Sequence, residues 1–408
     1  MRLLLATDHY LPHPGGSSRV ILETSRRLRA RGHAVTVLTF ERDPTLPERG
    51  QIEGVPVVRI PLRGRLSTYP RAFLAGRRAL AEHLTHQEYD VLHIHLPLIG
   101  LGAVTSSHGR RVPRVYTFYG PWHQEMRVEL YGKRLAALAA VPYRGYVALL
   151  CHGLKRWQGF VMRRCQRVVV LSEHSRHEIA AFFPAVDGDR VLLIPGGVDV
   201  ERFRPAPSRL AVRARLGLPE RAPILLTVRR LVPRMGLENL LSAFAQLSRE
   251  RDDLYLVIGG RGRSEGELRA LAGQLGVAGR VRFAGFIAEV DLPAYYQAAD
   301  LFVLPTLALE GFGLITLEAL ACGLPVVGTP VGSTCELLGQ FDARFLTGGT
   351  DPQSLGEGIA RGLALVEKEG PALAERCRAF ALPYDWERIV DRYEMLYTEL
   401  LNEQTSGL

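Results

Sequence analysis

Residues 300–330 read DLFVLPTLALEGFGLITLEALACGLPVVGTP, and this stretch sets out the architecture of the chain. Two short apolar runs, DLFVL and PVVG, flank a loop with Gly311 and Gly313 and a helical segment that Gly323 and Pro325 end. Apolar strands connected through a covering helix are typical of a parallel sheet that is buried on both faces.

The same alternation of apolar runs and amphipathic helices extends along all 408 residues. This length exceeds what one hydrophobic core usually organises, so we expect two domains. Both halves open with a strand, a loop and an amphipathic helix, which predicts an α/β fold of two Rossmann-like, doubly wound domains facing across a cleft. The predicted strands cover 2–7, 34–40, 90–95, 113–118, 167–171, 223–228, 254–259, 280–284, 300–304 and 325–328.

The segment GGVDVERFRPAPSR, which begins at Gly196, interrupts both periodicities and marks the boundary between the domains. Because ligands of open α/β sheets bind beyond the carboxyl ends of the strands, the cleft between the domains is the predicted site. The sequence leaves open whether the last helix packs across both domains. The predicted divisions are a first domain over 1–195, a linker over 196–215, a second domain over 216–383 and a final helix over 384–408.

Composition and charge exclude several classes of protein. The five cysteines are widely spaced and form no Cys-x-x-Cys pair, so we expect neither a disulfide framework nor a zinc site, and a cytoplasmic location. The N-terminal apolar run and residues 135–150 are too short or interrupted for a signal peptide or a membrane span.

The net charge of +9 is concentrated in the first 200 residues, which hold 28 Lys and Arg against 16 Asp and Glu. The remaining residues hold 23 against 26, so the basic half should meet an anionic partner. No basic helix carries interleaved stacking aromatics, and we therefore expect no nucleic acid as a partner. A phosphorylated substrate or an anionic membrane surface fits better.

The loop and helix over 310–318 indicate an anion site. Gly311 and Gly313 allow a ligand to approach the backbone, and the helix N-terminus offers free N–H groups and a positive dipole end that suit a diphosphate. The Cα–Cβ bond of Glu318 tilts towards that N-terminus, where a carboxylate can accept hydrogen bonds from ribose hydroxyls. Glu310 precedes the turn. The alternative is that Glu318 faces solvent and the glycines only make the turn.

Glu310-Gly-Phe-Gly followed by Glu318 resembles the signature of the retaining family 4 glycosyltransferases of GT-B fold, also described as glycosyl transferase group 1. The resemblance extends over nearly the whole chain. Its further segments are the Gly15-Gly16 loop, DVLHIH at 90–95, IPGGVD at 194–199, RRLVPRMGLENLL at 229–241 and VIGGRG at 257–262.

The resemblance implies metal-independent transfer of a sugar from a nucleotide-sugar donor, held mainly by the second domain, to an acceptor on the first. It implies that Glu318 binds the donor ribose, Glu310 the transferred sugar, and that Arg230 neutralises the leaving diphosphate. Tyr119 joins Arg230 and Glu310 in the implied catalytic set. The implied donor-binding set is Gly15, Gly16, Arg230, Arg234, Gly285, Phe286, Ile287, Glu310, Gly311, Phe312, Gly313, Leu314 and Glu318.

Two residues depart from the family pattern. Members commonly carry Lys where this chain has Met235, and a thioether cannot neutralise phosphate; the neighbouring Arg234 is a candidate replacement. Members usually carry His where this chain has Tyr119, which still donates a hydrogen bond but does not become cationic. His123 either compensates or has no role in an exposed loop.

His93 and His95 alternate by two along a predicted strand and therefore point to the same face of the sheet. Such a pair resembles two metal ligands, but no third ligand has suitable spacing. We therefore favour packing at the strand end or contact with the acceptor, and expect no metal cofactor.

Residues 127–167 combine a high positive charge with apolar residues at helical spacing, namely Leu154, Trp157, Phe160 and Val161. A basic amphipathic helix with an embedded Trp suits an anionic membrane interface, and this reading favours the inner face of the membrane and a lipid-linked or polysaccharide acceptor. The alternative is a helix that covers the first sheet with a solvated basic edge. The basic residues are Arg127, Lys133, Arg134, Arg144, Lys155, Arg156, Arg163, Arg164 and Arg167.

Two other functions remain open beside transfer. A non-catalytic nucleotide-sugar binding protein would account for Tyr119 and Met235, and a nucleotide-sugar 2-epimerase would share the fold. The nucleotide base, the sugar, the acceptor, the linkage and the oligomeric state are not specified by the sequence, because side chains of variable loops decide them.

Overall fold

A computed structural model describes residues 1–12, 15–62, 69–107, 109, 111–131 and 140–406. The chain divides into two compact units, Met1–Gly196 together with Trp386–Leu408, and Gly197–Asp385. Each unit contains one sheet covered by helices. The helices are α1 (Gly16–Ala30), α2 (Tyr69–His86), α3 (Pro97–Thr105), α4 (Trp122–Tyr131), α5 (Ala140–Met162), α6 (Glu173–Phe182), α7 (Arg209–Leu216), α8 (Leu237–Leu247), α9 (Glu265–Gln274), α10 (Leu292–Ala298), α11 (Leu314–Ala321), α12 (Thr334–Asp342), α13 (Pro352–Ala381) and α14 (Trp386–Ser406).

The first unit is built on an eight-stranded sheet. Its strands are β1 (Arg2–Thr7), β2 (Ala34–Glu41), β3 (Arg49–Ile52), β4 (Val55–Pro61), β5 (Val91–Ile94), β6 (Arg114–Phe118), β7 (Arg167–Val170) and β8 (Val191–Leu193). The spatial order is β3-β4-β2-β1-β5-β6-β7-β8, and only β3 and β4 pair antiparallel. The winding changes direction between β1 and β5, which is the point where such sheets bind ligands.

The second unit is built on a five-stranded, all-parallel sheet. Its strands are β9 (Ile224–Val228), β10 (Tyr255–Gly259), β11 (Val281–Gly285), β12 (Leu301–Leu304) and β13 (Val326–Gly328). The order β11-β10-β9-β12-β13 places the change of direction between β9 and β12. Leu225 and Leu301, which pair there, are fully buried because helices cover both faces of the sheet.

The ten predicted strands are all present, and the predicted α/β class is confirmed. Three strands were not predicted: β3, β4 and β8. β3 and β4 form a hairpin whose two turn residues, Glu53 and Gly54, both have positive φ. Pro56 and Pro61 in β4 obscured the strand pattern, because proline is tolerated only where a ladder hydrogen bond is dispensable.

Part of the predicted linker over 196–215 is helical, and the segment from Gly197 onwards is grouped with the second unit. Helix α7 begins after Ser208, whose Oγ accepts the N–H of Ala211 at 3.3 Å, and ends at Gly217 with φ +60°. Arg213 in this helix is buried. The prolines before Ser208 suggested an irregular segment, but one buried side chain and two good caps are enough to order this short helix.

The final helix, α14, belongs to the first unit. Arg31, which directly follows α1, donates hydrogen bonds to Asp391 at 2.6 Å and to Glu394 at 3.0 Å. Tyr393 and Tyr397 of α14 are fully buried. These contacts attach the last helix to the first sheet and its first helix.

Candidate functional site

The carboxyl edge of the second sheet brings together residues that follow β9 and β12. Arg229 directly follows β9, and its Nη2 donates a hydrogen bond to Oε2 of Glu310 at 2.6 Å. Arg229 also donates through Nη1 to Oγ1 of Thr306, which in turn donates to the same Glu310 oxygen at 3.0 Å. These side chains form one hydrogen-bonded group at the point where the sheet changes direction.

The main chain of Glu310 is fixed as firmly as its side chain. Leu309 has φ +62°, a conformation that costs a residue with a Cβ about 1–3 kcal/mol. The carbonyl oxygen of Glu310 accepts the N–H of Ser333 at 3.0 Å. Gly332, with φ +58°, approaches so closely that a Cβ there would overlap this oxygen. The loops after β12 and β13 therefore meet backbone to backbone.

Helix α11 begins directly beyond this group. Gly313 precedes its first residue, Leu314, and has φ +81°, in the left-handed region that favours glycine. A Cβ built on Gly313 would lie 3.9 Å from Oε1 of Glu310, so this oxygen lies on the side of the helix N-terminus. The Glu310 carboxylate therefore lies close to the free N–H groups and the positive dipole end of α11. Gly311 continues the loop, while the Phe312 side chain is buried and packs inward.

Glu318 lies one turn into α11 and is only 6% exposed. Its Oε2 accepts a hydrogen bond from the buried hydroxyl of Tyr296 at 2.9 Å. The alternative in which this glutamate faces solvent is therefore wrong. A buried carboxylate with a fixed orientation beside a helix N-terminus has the chemistry to accept hydrogen bonds from vicinal hydroxyls.

The basic residues after β9 are placed differently from one another. Arg230 is exposed, with no side-chain hydrogen bond to another residue in the described part of the chain. Arg234 donates to the carbonyl oxygen of Leu309 at 3.0 Å and so supports the strained loop. Met235 is buried, which is compatible with its thioether and would not suit a lysine. Sequence analysis did not single out Arg229, since nothing in the spacing connects it to Glu310.

The segment predicted to border the base follows β11. Gly285 has φ +68°, and its carbonyl oxygen accepts the N–H of Gly260 at 2.6 Å. Ile287 lies against Gly259, where a Cβ would meet its side chain at 2.5 Å. The Phe286 side chain is 55% exposed, an unusual position for an aromatic ring in the absence of a partner.

The remaining predicted site residues belong to the first unit. Gly15 precedes α1 in an extended conformation, and a Cβ on Gly15 or Gly16 would contact nothing within 4 Å. Local packing therefore does not require glycine at either position. Their small size would therefore matter to a ligand that approaches the loop from outside.

Tyr119 lies at the end of a series of hydrogen bonds and ring contacts in the first unit. Its hydroxyl bonds to Nδ1 of His95 at 2.8 Å, and the rings of His95 and His93 stack at 4.1 Å. His93 bonds through its two nitrogens to Thr117 at 2.7 Å and Tyr397 at 2.6 Å. Burial lowers the pKa of His93 to about 3 and that of His95 well below its usual value. Both imidazoles are therefore neutral.

The reading of these histidines as strand-end packing accounts for the geometry. Burial also raises the pKa of Tyr119 well above its usual value, so this residue stays a neutral donor. Across the described ranges, no three His, Cys, Asp or Glu side chains are grouped as metal ligands. His123, offered as compensation for Tyr119, is buried against Phe182 and Phe183, and burial lowers its pKa to about 4.

A pocket of about 520 Å³ opens at the carboxyl edge of the first sheet, beside the point between β1 and β5. The carboxylate of Asp8 accepts the N–H groups of Leu98 and Ile99 at 3.0 and 2.6 Å and so caps α3. Burial nevertheless raises the pKa of Asp8 to about 7. The sequence analysis missed this pocket, although Asp8 directly after an apolar strand is a signal of the kind used for the second unit. Its polar and aromatic lining includes Asp8, Glu41, Arg42, Tyr116, Tyr119, Trp122, Glu125 and Gln158.

The apolar stripe predicted to meet a membrane packs mainly on the protein instead. Leu154 and Val161 belong to the buried core, and Trp157 and Phe160 pack against it. Lys133 and Arg134 lie outside the described residues. Helix α5 exposes other side chains: Leu149 is 74% exposed, Tyr146 is 59% exposed, and Arg156 continues the same side. No helix among the described residues has the length and hydropathy needed to cross a bilayer.

Comparisons with known proteins identify the family. Residues 14–202 match the family model described as Glycosyltransferase Family 4, and residues 208–384 match that of Glycosyl transferases group 1. The D-inositol 3-phosphate glycosyltransferase of Geodermatophilus obscurus is 31% identical over 412 residues, covering 96% of this chain and 86% of that protein. The enzyme of the same name from Acidothermus cellulolyticus is 30% identical, with 96% and 87% covered.

Solved structures share the fold. Sucrose-phosphate synthase from Thermosynechococcus elongatus has a TM-score of 0.80 at 22% identity, covering 99% of this chain and 100% of that one. Anabaena HepE, in complex with UDP and glucose, has a TM-score of 0.76 at 20% identity, with 98% and 99% covered. These likenesses establish the GT-B fold, and together with the family matches they show that the chain is a glycosyltransferase of family 4, within glycosyl transferase group 1.

Proposed function

We propose that this glycosyltransferase retains the anomeric configuration of a sugar that it takes from a nucleotide-sugar donor bound at the carboxyl edge of the second sheet. The observation that carries the proposal is the Glu310 carboxylate, with Oε2 held by Arg229 and Thr306 and Oε1 beside the N-terminus of α11. HepE, which shares the fold, was solved with UDP-glucose, and this supports a donor of the same class.

Different residues bind different parts of the donor, according to the chemistry of their side chains and amides. The buried Glu318 carboxylate accepts hydrogen bonds from the ribose hydroxyls, and the amides that begin α11 at Leu314 bind the diphosphate. Glu310 accepts hydrogen bonds from hydroxyls of the transferred sugar. Arg230, exposed after β9, meets the charge that develops on the leaving diphosphate, and Arg234 holds the loop that carries Glu310. Phe286 and its neighbours Gly285 and Ile287 border the base.

Retention requires no protein nucleophile in this scheme. The acceptor hydroxyl attacks the anomeric carbon on the face from which the nucleotide leaves. Its oxygen forms the new glycosidic bond as the bond to the diphosphate breaks, and its proton passes to a departing phosphate oxygen. The site's contribution is to orient both substrates and to stabilise the negative charge on the leaving group.

The pocket of the first unit suits a hydroxyl-rich acceptor. Its aromatic side chains, Tyr116 and Trp122, offer surfaces for sugar or cyclitol rings, while Asp8, Glu41 and Glu125 accept hydrogen bonds from hydroxyls. Curated relatives are named for D-inositol 3-phosphate, a phosphorylated polyol. We place a carbohydrate or lipid-linked acceptor here, in the cytoplasm at the inner face of the membrane.

The test is nucleotide release by purified protein from UDP-, GDP- and ADP-sugars, with and without membrane extract. Release from one donor, stimulated by extract and lost in Glu310→Ala and Glu318→Ala, supports transfer. NMR of the product should then show the anomeric configuration of the donor. Donor binding without turnover indicates the non-catalytic alternative, and a donor sugar altered at C2 indicates the epimerase.

Contact with an anionic membrane surface involves the exposed side of α5. Leu149 and Tyr146 add apolar area beside Arg156, which suits a headgroup region rich in phosphate. Co-sedimentation with vesicles containing phosphatidylglycerol, compared with pure phosphatidylcholine, measures this contact. We expect Leu149→Asp to lower binding about tenfold. The matched control Leu210→Asp, 58% exposed in the second unit, should have no effect. Equal binding of both variants would contradict the contact.

A further inference from the structure

Arg229 occupies an unusual place for a charged side chain, directly at the end of a central strand. Its side chain is 5% exposed, and its backbone N–H donates to the carbonyl oxygen of Gly259 at 2.9 Å. Gly260, with φ +121°, passes so close that a Cβ there would overlap the Arg229 carbonyl oxygen. The backbone of Arg229 is therefore fixed by its neighbour strand, and its guanidinium starts from a defined position.

The guanidinium uses this position to hold one oxygen of one carboxylate. Oε2 of Glu310 accepts hydrogen bonds from Arg229 and Thr306, while Oε1 has no hydrogen-bond partner within the ranges that the structure describes. The Glu310 side chain is 12% exposed, so the open oxygen lies in a partly enclosed place. A carboxylate with one oxygen tied and the other directed to the α11 N-terminus has a single orientation to offer a ligand.

The neighbouring Arg230 provides the internal contrast. It follows the same strand, yet its side chain is exposed and makes no hydrogen bond in the described part of the chain. Phosphate binding suits such a free guanidinium. Arg229, by comparison, donates to Glu310 and to Thr306, which itself bonds to Glu310, so its effect on a ligand should pass through Glu310.

We propose that Arg229 is a positioning residue for sugar transfer, which ties Oε2 of Glu310 so that Oε1 meets the hydroxyls of the donor sugar. The inference rests on the proposed function and deepens it. It assigns sugar placement to the arginine that the family resemblance did not mark and leaves phosphate binding to Arg230. A misplacement of Glu310 by a fraction of an ångström is expected to reduce turnover much more than it reduces binding of the nucleotide.

The experiment is a double-mutant cycle with the donor that the native enzyme uses. We expect Arg229→Ala to lower kcat about 10–100-fold while the Kd of the nucleoside diphosphate alone changes less than about threefold. In the Glu310→Ala background the same substitution should have almost no further effect, because it acts through that carboxylate. Arg229→Lys keeps the charge but cannot donate to Glu310 and Thr306 at once as the guanidinium does, so it should show an intermediate kcat. It also keeps the test usable if Arg229→Ala fails to fold.

Arg213→Lys is the matched control, since Arg213 forms an equally buried ion pair in the same unit away from this edge. Thermal unfolding of every variant separates stability from kinetics, and Arg213→Lys should change the unfolding temperature but not kcat. Independent effects of Arg229→Ala and Glu310→Ala, or equal losses in kcat and nucleotide affinity, would overturn the positioning role and leave the transferase proposal intact. No turnover of any donor by the native enzyme would instead contradict both.

Discussion

Two buried ion pairs lie at opposite ends of the same two strands, and they differ in one respect. At the amino ends of β9 and β12, Arg213 meets Asp300 at 2.5 Å; at the carboxyl ends, Arg229 meets Glu310 at 2.6 Å. The arginine side chains are each 5% exposed, and the carboxylates 15% and 12%. Burial and distance therefore do not distinguish the pairs.

The remaining hydrogen bonds of the two ion pairs distinguish them. Arg213 also donates to the carbonyl oxygens of Ala298 at 2.8 Å and Glu220 at 2.8 Å, and Asp300 accepts the N–H of Ile224 at 2.7 Å. A second arginine, Arg209, donates to the other Asp300 oxygen at 2.5 Å. Both oxygens of this carboxylate are thus occupied by the protein, and the pair ties α7 to the start of the sheet.

At the carboxyl edge the pair leaves Oε1 of Glu310 open, at the end of a loop held by the strained Leu309. The comparison teaches that a buried ion pair indicates a site only when it leaves hydrogen-bonding capacity unused. A saturated pair contributes to stability, whereas an unsaturated one at a strand's carboxyl end is available to a ligand. The predictions that follow test this division.

The largest expected effect is on activity at the open pair. Glu310→Ala should lower the rate of nucleotide release about 10²–10³-fold, because an oriented acceptor for the transferred sugar is lost. The substitution also leaves the buried Arg229 guanidinium without its counter-charge, so we expect the free energy of unfolding to fall as well, and rates are measured below the unfolding transition. Initial rates at saturating donor measure the effect. Retention of more than about a tenth of the native rate would argue against a ligand at this carboxylate.

At the saturated pair we expect a loss of stability without a loss of activity. Asp300→Ala leaves the Arg213 guanidinium buried without its counter-charge, so we expect a loss of about 3–5 kcal/mol in the free energy of unfolding. The folded fraction should keep its kcat within about twofold. Urea titration followed by circular dichroism, with kinetics below the transition, gives both values. A catalytic defect larger than the folding defect would break the proposed distinction.

A smaller effect should follow from disturbing the backbone beneath Glu310. Gly332→Ala places a Cβ against the carbonyl oxygen of Glu310 at a positive φ, and should lower kcat about tenfold by displacing the loop. Gly339→Ala is the matched control, because the same methyl group would meet nothing within 4 Å in α12. There we expect unchanged kinetics and about 0.5–1 kcal/mol of added stability.

The smallest effect concerns Asp8, at the corresponding edge of the first sheet. Because burial raises its pKa from 3.8 to about 7, its contribution to stability is present below pH 4 and is lost as the pH rises through 7. Since the carboxylate borders an open pocket, we expect the free energy of unfolding to fall by only about 1–2 kcal/mol between pH 5 and 8.5. Asp8→Asn, which cannot ionise, should flatten that part of the profile. Denaturant titrations at several pH values measure the stability of the native protein and of Asp8→Asn. If the two stabilities change with pH in parallel, the raised pKa of Asp8 is refuted.

The sequence predicted the sheets well, because strands buried on both faces carry continuous apolar runs. It also predicted Glu310, Glu318 and the helix between them as one group, since those residues are close along the chain. Arg229 is 81 residues from Glu310, and only the parallel pairing of β9 with β12 brings them together. The spacing of residues along the chain cannot predict a contact of this kind.

The stripe around Trp157 shows a different limit. Apolar residues at helical spacing beside basic ones predict an amphipathic helix, but the pattern does not say whether the apolar side meets lipid or the protein's own sheet. In this chain Leu154 and Val161 lie in the core, while Tyr146 and Leu149 are exposed on another side of α5. The partner of an amphipathic face is decided by tertiary packing.

The most direct test of a ligand site at the carboxyl edge of the second sheet is hydrogen exchange with UDP, GDP and ADP added in turn. We predict that one nucleotide protects amides in the segments 229–236, 259–264, 310–316 and 332–334, while those around Asp300 and Ile224 exchange as before. Protection at the amino edge instead, or at neither edge with any nucleotide, would contradict the assignment of the open ion pair to the donor.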